Sequence, residues 1–367
     1  MFNTFGSIFR MTTYGESHGA AVGAVVDGCP AGLEISENEI QFELDRRRPG
    51  QSELTTPRNE DDKVEILSGI FQGKTLGTPI SLMIKNKDQN PADYDEMKDV
   101  YRPGHADYGY DTRYGIRDHR GGGRSSNRES AARVATGAIA KKVLKDIADV
   151  KVLAWVDSIK DIKSDVDIAK VTMDHVESNP VRCPDQIAAA KMTQAILEAK
   201  DSGDSLGGVV KFAVYNCPSG LGAPLFKKIT SELAMALMSI NATRSFDIGL
   251  GKESTLLSGS SHNDPFHTKN GGISTLTNNA GGVLGGISNG NVIYGTVSFK
   301  PTSTIKKEQD TVNNQGCNTK LAAKGRHDPC VLPRAVPIVE AMISIALVDQ
   351  ILLFPIVTME RLKSFYS

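Results

Sequence analysis

The chain has 367 residues, with 42 lysines and arginines against 43 aspartates and glutamates, and 40% of its residues are hydrophobic. That balance suits a folded globular protein and excludes a disordered segment or a surface given over wholly to nucleic acid or anionic membrane. Five cysteines, odd in number and without a CxxC pair, point to a reduced cytoplasmic setting with neither zinc nor a disulfide framework.

The stretch MFNTFGSIFRMTTYGESHG lacks a basic region followed by an apolar one, so no secretory leader is expected. Strands are expected over 22–26, 64–71 and 80–84, where apolar and β-branched residues dominate. Residues 129–147 read as a helix, with Val134, Ala138 and Ile139 on one face and Glu129 where the macrodipole favours an acid. A strand at 151–156, a helix at 185–200, a strand at 209–215 and a helix at 230–239 follow. At 292–299 the residues alternate as in a half-buried strand, Ile293, Gly295, Val297 and Phe299 against their neighbours. From 335 a helix apolar nearly all round is expected to lie inside rather than in a membrane, since Glu340 and Asp349 interrupt it. Strands and helices mix without regular alternation, and no linker divides the chain. This favours an α+β fold, while length alone suggests two or three domains. The glycine-rich connections 102–128 and 255–290 read as functional loops.

Charge is concentrated in the first of these. Residues 102–128 hold six arginines, two histidines and no lysine, offset by Asp107, Asp111 and Asp118. The stretch runs into Gly-Gly-Gly-Arg-Ser-Ser-Asn-Arg. Guanidinium groups bind phosphate and carboxylate through paired donors, and glycines let main-chain N–H groups approach an anion. A small polyanion is the expected ligand. Arg113, Arg117 and Arg120 are equally well read as solvated loop charges or subunit contacts.

Other patterns fail. Gly69 to Thr75 is one residue short of a P-loop, and no GxGxxG unit follows a strand. Gly15-Glu16-Ser17-His18-Gly19 satisfies GxSxG, but it lies too near the N-terminus for a serine hydrolase, and His18 adjoins Ser17 in sequence, a poor placement for its base. An RNA-binding reading of the Arg-Gly run lacks aromatic platforms and a basic excess.

Eight motifs in order carry a resemblance: GESHG at 15–19, RRRPG at 46–50, RPGHADY at 102–108, GGGRSSNRES at 121–130, SINA at 239–242, NNAGGVLGGISNG at 278–290, KPTSTI at 300–305 and GRHDPCVLPRAVPIVEAM at 325–342. Together the chain closely resembles the chorismate synthase family over almost its full length. The resemblance implies a single-domain β-α-β sandwich over residues 1–367, helices between antiparallel sheets, assembled as a homotetramer. It implies loss of phosphate and a ring proton from 5-enolpyruvylshikimate 3-phosphate by 1,4-anti elimination, giving chorismate. Reduced FMN is required without net oxidation. NADPH would serve only indirectly, through an external flavin reductase, because no nicotinamide fingerprint is present. No metal, nucleic acid or membrane is implied.

The charges agree: the two ligands together bring roughly seven negative charges into one pocket, which demands a comparable number of cations. By resemblance His18 protonates the departing phosphate, His105 handles a flavin proton, and Asp328 stands where the ring proton leaves. Ser17, Arg47, Arg102, Ser126, Arg128, Arg326 and Arg334 resemble the substrate clamp. Arg124, Ser125, Ser126, Asn241, Ala242, Gly285, Lys300, Pro301, Thr302, Ser303, Thr304 and Arg326 resemble the FMN shell. Glu53 departs from a basic residue common in relatives; it is expected to face away, with Arg58 in its place. His327 is open between a structural and a functional role.

Overall fold

A computed structural model describes residues 2–56, 58, 60–88, 91–269, 271–323 and 327–367, with the main chain alone at 91–93 and 269. Two five-stranded antiparallel sheets form the outer layers. One runs Thr4–Phe5, Arg10–Gly15, Ala21–Asp27, Ile80–Lys85, Val64–Ile66. The other runs Thr243–Ile248, Ile293–Phe299, Gly208–Tyr215, Lys151–Ile159, Ile162–Lys163. Helices Glu37–Arg47, Ser130–Ala148 and Leu332–Leu353 pack against one another and against the sheets. The architecture is the expected α+β sandwich.

The middle layer explains the patterning. Leu332–Leu353 is buried nearly throughout, and it is long and apolar enough to cross a membrane by length and composition alone. Its two acids have internal partners. Asp349 accepts the main-chain N–H groups of Ser7, Ile8 and Phe9 at 2.9, 2.5 and 3.0 Å, tying the N-terminal segment to the helix. Glu340 is fully buried between Arg46 and Lys141, both at 2.6 Å, and also accepts the Ala154 N–H. Burial pushes the Glu340 carboxyl up, but the two cations overcome this and hold it at about 2.

Three expectations change. The run 64–71 is two strands, because Gly69 turns the chain at φ +82°; Ile70–Phe71 then pairs with Lys74–Thr75 in a hairpin. Helix Glu37–Arg47 was not expected, since its buried face includes Glu43, Arg46 and Arg47 and gives no apolar stripe. Its start was legible: Ser36 and Glu39 form a capping box. Strand Arg10–Gly15 was also missed, although Met11 and Thr13 point inward between exposed neighbours.

Candidate active site

The two longest helices both begin at one cavity of about 350 Å³. Ser125 to Arg128 reach it just before Ser130–Ala148, and Val331 and Arg334 at the start of Leu332–Leu353. Both helices therefore turn the positive ends of their dipoles toward it. Arg47 arrives from the last turn of Glu37–Arg47, Arg102 and His105 from the segment before helix Asp107–Tyr114, and Lys300 to Thr304 from the end of strand Ile293–Phe299. Asn241 and Ala242 come from the turn before Thr243–Ile248, where Ala242 has φ +70°.

Among the described residues the walls carry six cations, Arg47, Arg58, Arg102, Arg128, Lys300 and Arg334, and one carboxylate, Asp328. The arginines are held from behind. Asp62 binds both Arg47, at 2.9 Å, and Arg128. Asp107 grips Arg102 through two hydrogen bonds of 2.8 and 2.7 Å, and also pairs with Arg117 at 3.1 Å. Arg58 rests on Glu60 and Arg334 on Asp328, each at 2.5 Å. Asp328 also accepts the Thr56 N–H at 2.9 Å. Lys300 alone of the six has no carboxylate partner among the described residues; it donates to the Gly104 carbonyl at 2.8 Å and to Ser303 Oγ at 2.5 Å.

The two histidines lie against the glycine run. His18 Nδ1 is 3.0 Å from Ser17 Oγ, and its ring meets Tyr94 edge-on at 4.9 Å between centroids. A Cβ on Gly121 would lie 2.2 Å from His18 Cε1, and one on Gly122 would lie 2.9 Å from His105 Cε1. Both glycines have positive φ, +68° and +90°, so neither site suits a side chain. His105 Nδ1 lies 2.9 Å from Asp107 Oδ1. Since Asp107 is kept ionised far below the carboxylate range against the effect of burial, chiefly by Arg102 and His105, Nδ1 carries the proton and Nε2 is left for the cavity. Burial lowers the His105 pKa most; Asp107 opposes this, and Arg102 and Lys300 reinforce it.

Of the residues singled out from sequence, His18, His105, Asp328, Arg47, Arg102, Arg128, Arg334, Ser125, Ser126, Asn241, Ala242 and Lys300 through Thr304 all line this cavity. Arg326 lies outside the described residues. Three others stand elsewhere. Ser17 is 1% exposed behind His18, bonded to it and to the Arg120 carbonyl at 3.4 Å. The sequence neighbours thus do meet, but Ser17 does not line the cavity. Arg124 turns away from the cavity to Thr13 Oγ1, at 2.6 Å, and to the carbonyls of Thr13 and Gly15. Gly285 sits on the Val283–Leu284/Ile287–Ser288 hairpin, which precedes strand Ile293–Phe299, whereas Lys300 follows it. That hairpin is a separate two-stranded sheet, and Gly285 does not line the cavity.

Glu53 is exposed and outside the cavity, and Arg58 lines it. His327 lines it too; His119, His175, His262 and His267 do not. Nor do Arg113, Arg117 and Arg120, and the connection 255–290 contributes no wall. Thr56, Tyr94, Gly121 and Asn127 were missed. Gly121 had a readable signal, being part of a three-glycine run beside arginines; Tyr94 had none.

The chorismate synthase family profile matches residues 9–352. Chorismate synthase from Trichormus variabilis is 58% identical over 353 residues, covering 96% of this chain and 98% of that protein. The Synechocystis chorismate synthase is 57% identical over 355 residues with the same coverage. A crystal structure of chorismate synthase superposes with a TM-score of 0.73 at 32% identity, covering 99% of this chain and 97% of that one. With this fold, this cavity and these likenesses, the chain belongs to the chorismate synthase family.

Proposed function

We propose that the protein removes phosphate and a ring proton from 5-enolpyruvylshikimate 3-phosphate by 1,4-anti elimination, releasing chorismate, with reduced FMN bound beside the substrate. It would thus act as a carbon–oxygen lyase at the last common step of aromatic amino-acid synthesis. The observation that carries the reading is the cavity wall itself: among the described residues, six cations to one carboxylate, with His18, His105 and His327 also lining it. Against the six cations stand four paired acids among the described residues, Glu60, Asp62, Asp107 and Asp328, so an anion completes their compensation and a neutral substrate would not.

The residues present fit a flavin mononucleotide. Lys300, without a carboxylate partner among the described residues, is available to a phosphate. The Ser125–Ser126, Asn241–Ala242 and Lys300–Thr304 segments converge on the cavity. Reduced FMN, when bound, supplies an electron-rich ring and leaves the reaction unoxidised. The chain's own groups do the rest. Arg47, Arg102, Arg128 and Arg334 hold substrate anions in fixed geometry. His18 donates a proton to the leaving phosphate, positioned by Ser17. His105 presents Nε2 toward the flavin, its tautomer set by Asp107. Asp328 is held by Thr56 and Arg334 near the point of ring-proton removal.

In the ligand-free site His105 is held toward its neutral form. Two polyanions oppose the arginine field, raise the histidine pKa and load the proton on binding. A His105 pKa no higher in the ternary complex than in the free protein, followed by NMR titration, would sink that step.

The wider reading is a cytoplasmic homotetramer supplied with reduced FMN by a separate reductase, NADPH entering only there. Exposed apolar side chains gathered between residues 225 and 276, Leu225, Phe226, Met235, Leu256, Phe266 and Ile273 among them, support assembly. A flavin contact by Gly285 would have to come from a second copy. Turnover by the purified protein with NADPH and FMN alone, in air, would overturn the separate reductase.

The test is an anaerobic assay with substrate and dithionite-reduced FMN, following chorismate and phosphate together. Equal release of both, absent with oxidised FMN, is expected. No product from folded protein with flavin bound would refute the function.

A further inference from the structure

We propose that Asp62 is a positioning residue of the anion clamp: its carboxylate aligns Arg47 and Arg128 and turns their remaining donors toward a bound oxyanion. This rests on the cavity being the substrate site. The two arginines are neighbours in neither sequence nor element. Arg47 ends one helix, Arg128 precedes another, and among the described residues the carboxylate between them is the one side chain bonded to both guanidiniums.

Counting donors shows the consequence. A guanidinium has five N–H groups. Arg47 spends one on Asp62, one on Ser130 Oγ at 3.0 Å and one on the Asn127 carbonyl. Arg128 spends one on Asp62, one on Asn86 Oδ1 at 2.8 Å and one on the Lys85 carbonyl at 3.2 Å. Each guanidinium thus keeps two donors beyond these partners, and both arginines line the cavity. Asp62 is the one shared partner, and thus fixes the angle between the two forks. Its backbone is unusual as well. Asp62 has φ +48°, a left-handed conformation that aspartate tolerates better than most residues. Its side chain is fully buried, so the strained turn places a carboxylate where solvent could not compensate the two cations.

Electrostatics makes the role testable. The charged groups facing Arg47 are Asp62 from the loop before Val64–Ile66, Arg128 from the turn before Ser130–Ala148, and Arg334, itself paired with Asp328, from the C-terminal helix. On its own helix Glu43 and Arg46 are engaged with the Glu340 cluster instead. Burial and then Arg334 work against the Arg47 cation, Asp62 favours it, and Arg128 opposes it in turn. Asp62 itself is raised by burial, but Arg47 and Arg128 outweigh this and keep it below its ordinary value. Removing Asp62 therefore leaves two buried guanidiniums facing each other without the carboxylate between them, and their geometry is no longer held.

The experiment is calorimetric titration of the full protein with sulfate at neutral pH. Asp62→Asn should bind sulfate about tenfold more weakly, and Asp62→Glu, which keeps the charge but displaces it, should recover part of the loss. With substrate, Asp62→Asn should raise KM more than it lowers kcat. An Asp62→Asn protein with sulfate affinity within about twofold of wild type would overturn the proposal. Should Asp62→Asn not fold, an Asp62→Glu protein that binds sulfate as tightly as wild type would overturn it as well. Sulfate binding with no chorismate formed would instead count against the proposed reaction and leave this inference standing.

Discussion

Gly121→Ala is a one-carbon change aimed at His18. The new Cβ would lie 2.2 Å from His18 Cε1, 2.3 Å from Nδ1 and 2.8 Å from Ser17 Oγ. Ordinary contact begins near 3.4 Å, so the ring must retreat by about 1.2 Å. It cannot do so freely, because Ser17 holds Nδ1 at 3.0 Å and Tyr94 stands against its face or edge. Displacing a catalytic group by roughly 1 Å costs about 10²-fold in rate. The backbone adds its own penalty, about 1–2 kcal/mol for a side chain in the left-handed region. Gly73→Ala separates the two effects: it has φ +76° with nothing within 4 Å of the added carbon. Both variants should lose stability in urea unfolding, Gly121→Ala somewhat more. Only Gly121→Ala should lose kcat, by about 10²-fold, in the anaerobic chorismate assay. Gly121→Ala with kcat within about threefold of wild type, or Gly73→Ala losing as much activity, would refute the placement of His18 against the glycine run.

Further outcomes follow from the other carboxylates and from the surface. Asp107→Asn removes the partner that holds the His105 tautomer and raises its pKa, so kcat should fall by about 10²-fold and the pH at which imidazolium is lost should move down; an unchanged pH profile would contradict this. Glu340→Gln removes the fully buried one of the two acids, Glu340 and Glu43, that Arg46 and Lys141 share, and should cost about 3 kcal/mol at neutral pH. Because Glu340 is held at about 2, below its ordinary 4.5, its contribution is present above 4.5 and fades as pH falls from there toward 2. Urea midpoints should therefore show a weaker acid dependence across that window in Glu340→Gln than in wild type. Phe226, 92% exposed, should matter to assembly, so Phe226→Asp should sediment as a smaller species; unchanged sedimentation would remove that face from the interface.

How much of this was readable in the sequence depends on what each element buries. Strand Ile293–Phe299 was legible because its inward side chains are apolar and alternate with half-buried ones. Helix Leu332–Leu353 was legible because almost every residue is apolar. Helix Glu37–Arg47 failed the same test, since Arg46 serves the Glu340 cluster and Arg47 the cavity. A helix that buries charge on both functional and structural duty has no apolar stripe to read, and only its capping box marked it.

The site divides along a similar line. Side chains that face the ligand were found because arginine, histidine and glycine in company suggest anion chemistry from sequence alone. The groups that hold them were not found. Asp62 lies in a Glu-Asp-Asp run that resembles any solvated acidic turn, yet it is buried beneath two arginines. Asp107 counted at first only as an offset to local positive charge, whereas it anchors Arg102, Arg117 and His105 together. A counter-charge has no spacing rule, because its position is set by where separate elements meet and not by its neighbours in the chain. Gly285 is a different case: its motif lies in a small hairpin outside the cavity of its own chain, and a motif does not say which copy's site it serves. In an anion site the ligand-facing cations are therefore the legible half. The acids that keep those cations charged and aimed must be found by asking, for each buried guanidinium, what lies behind it.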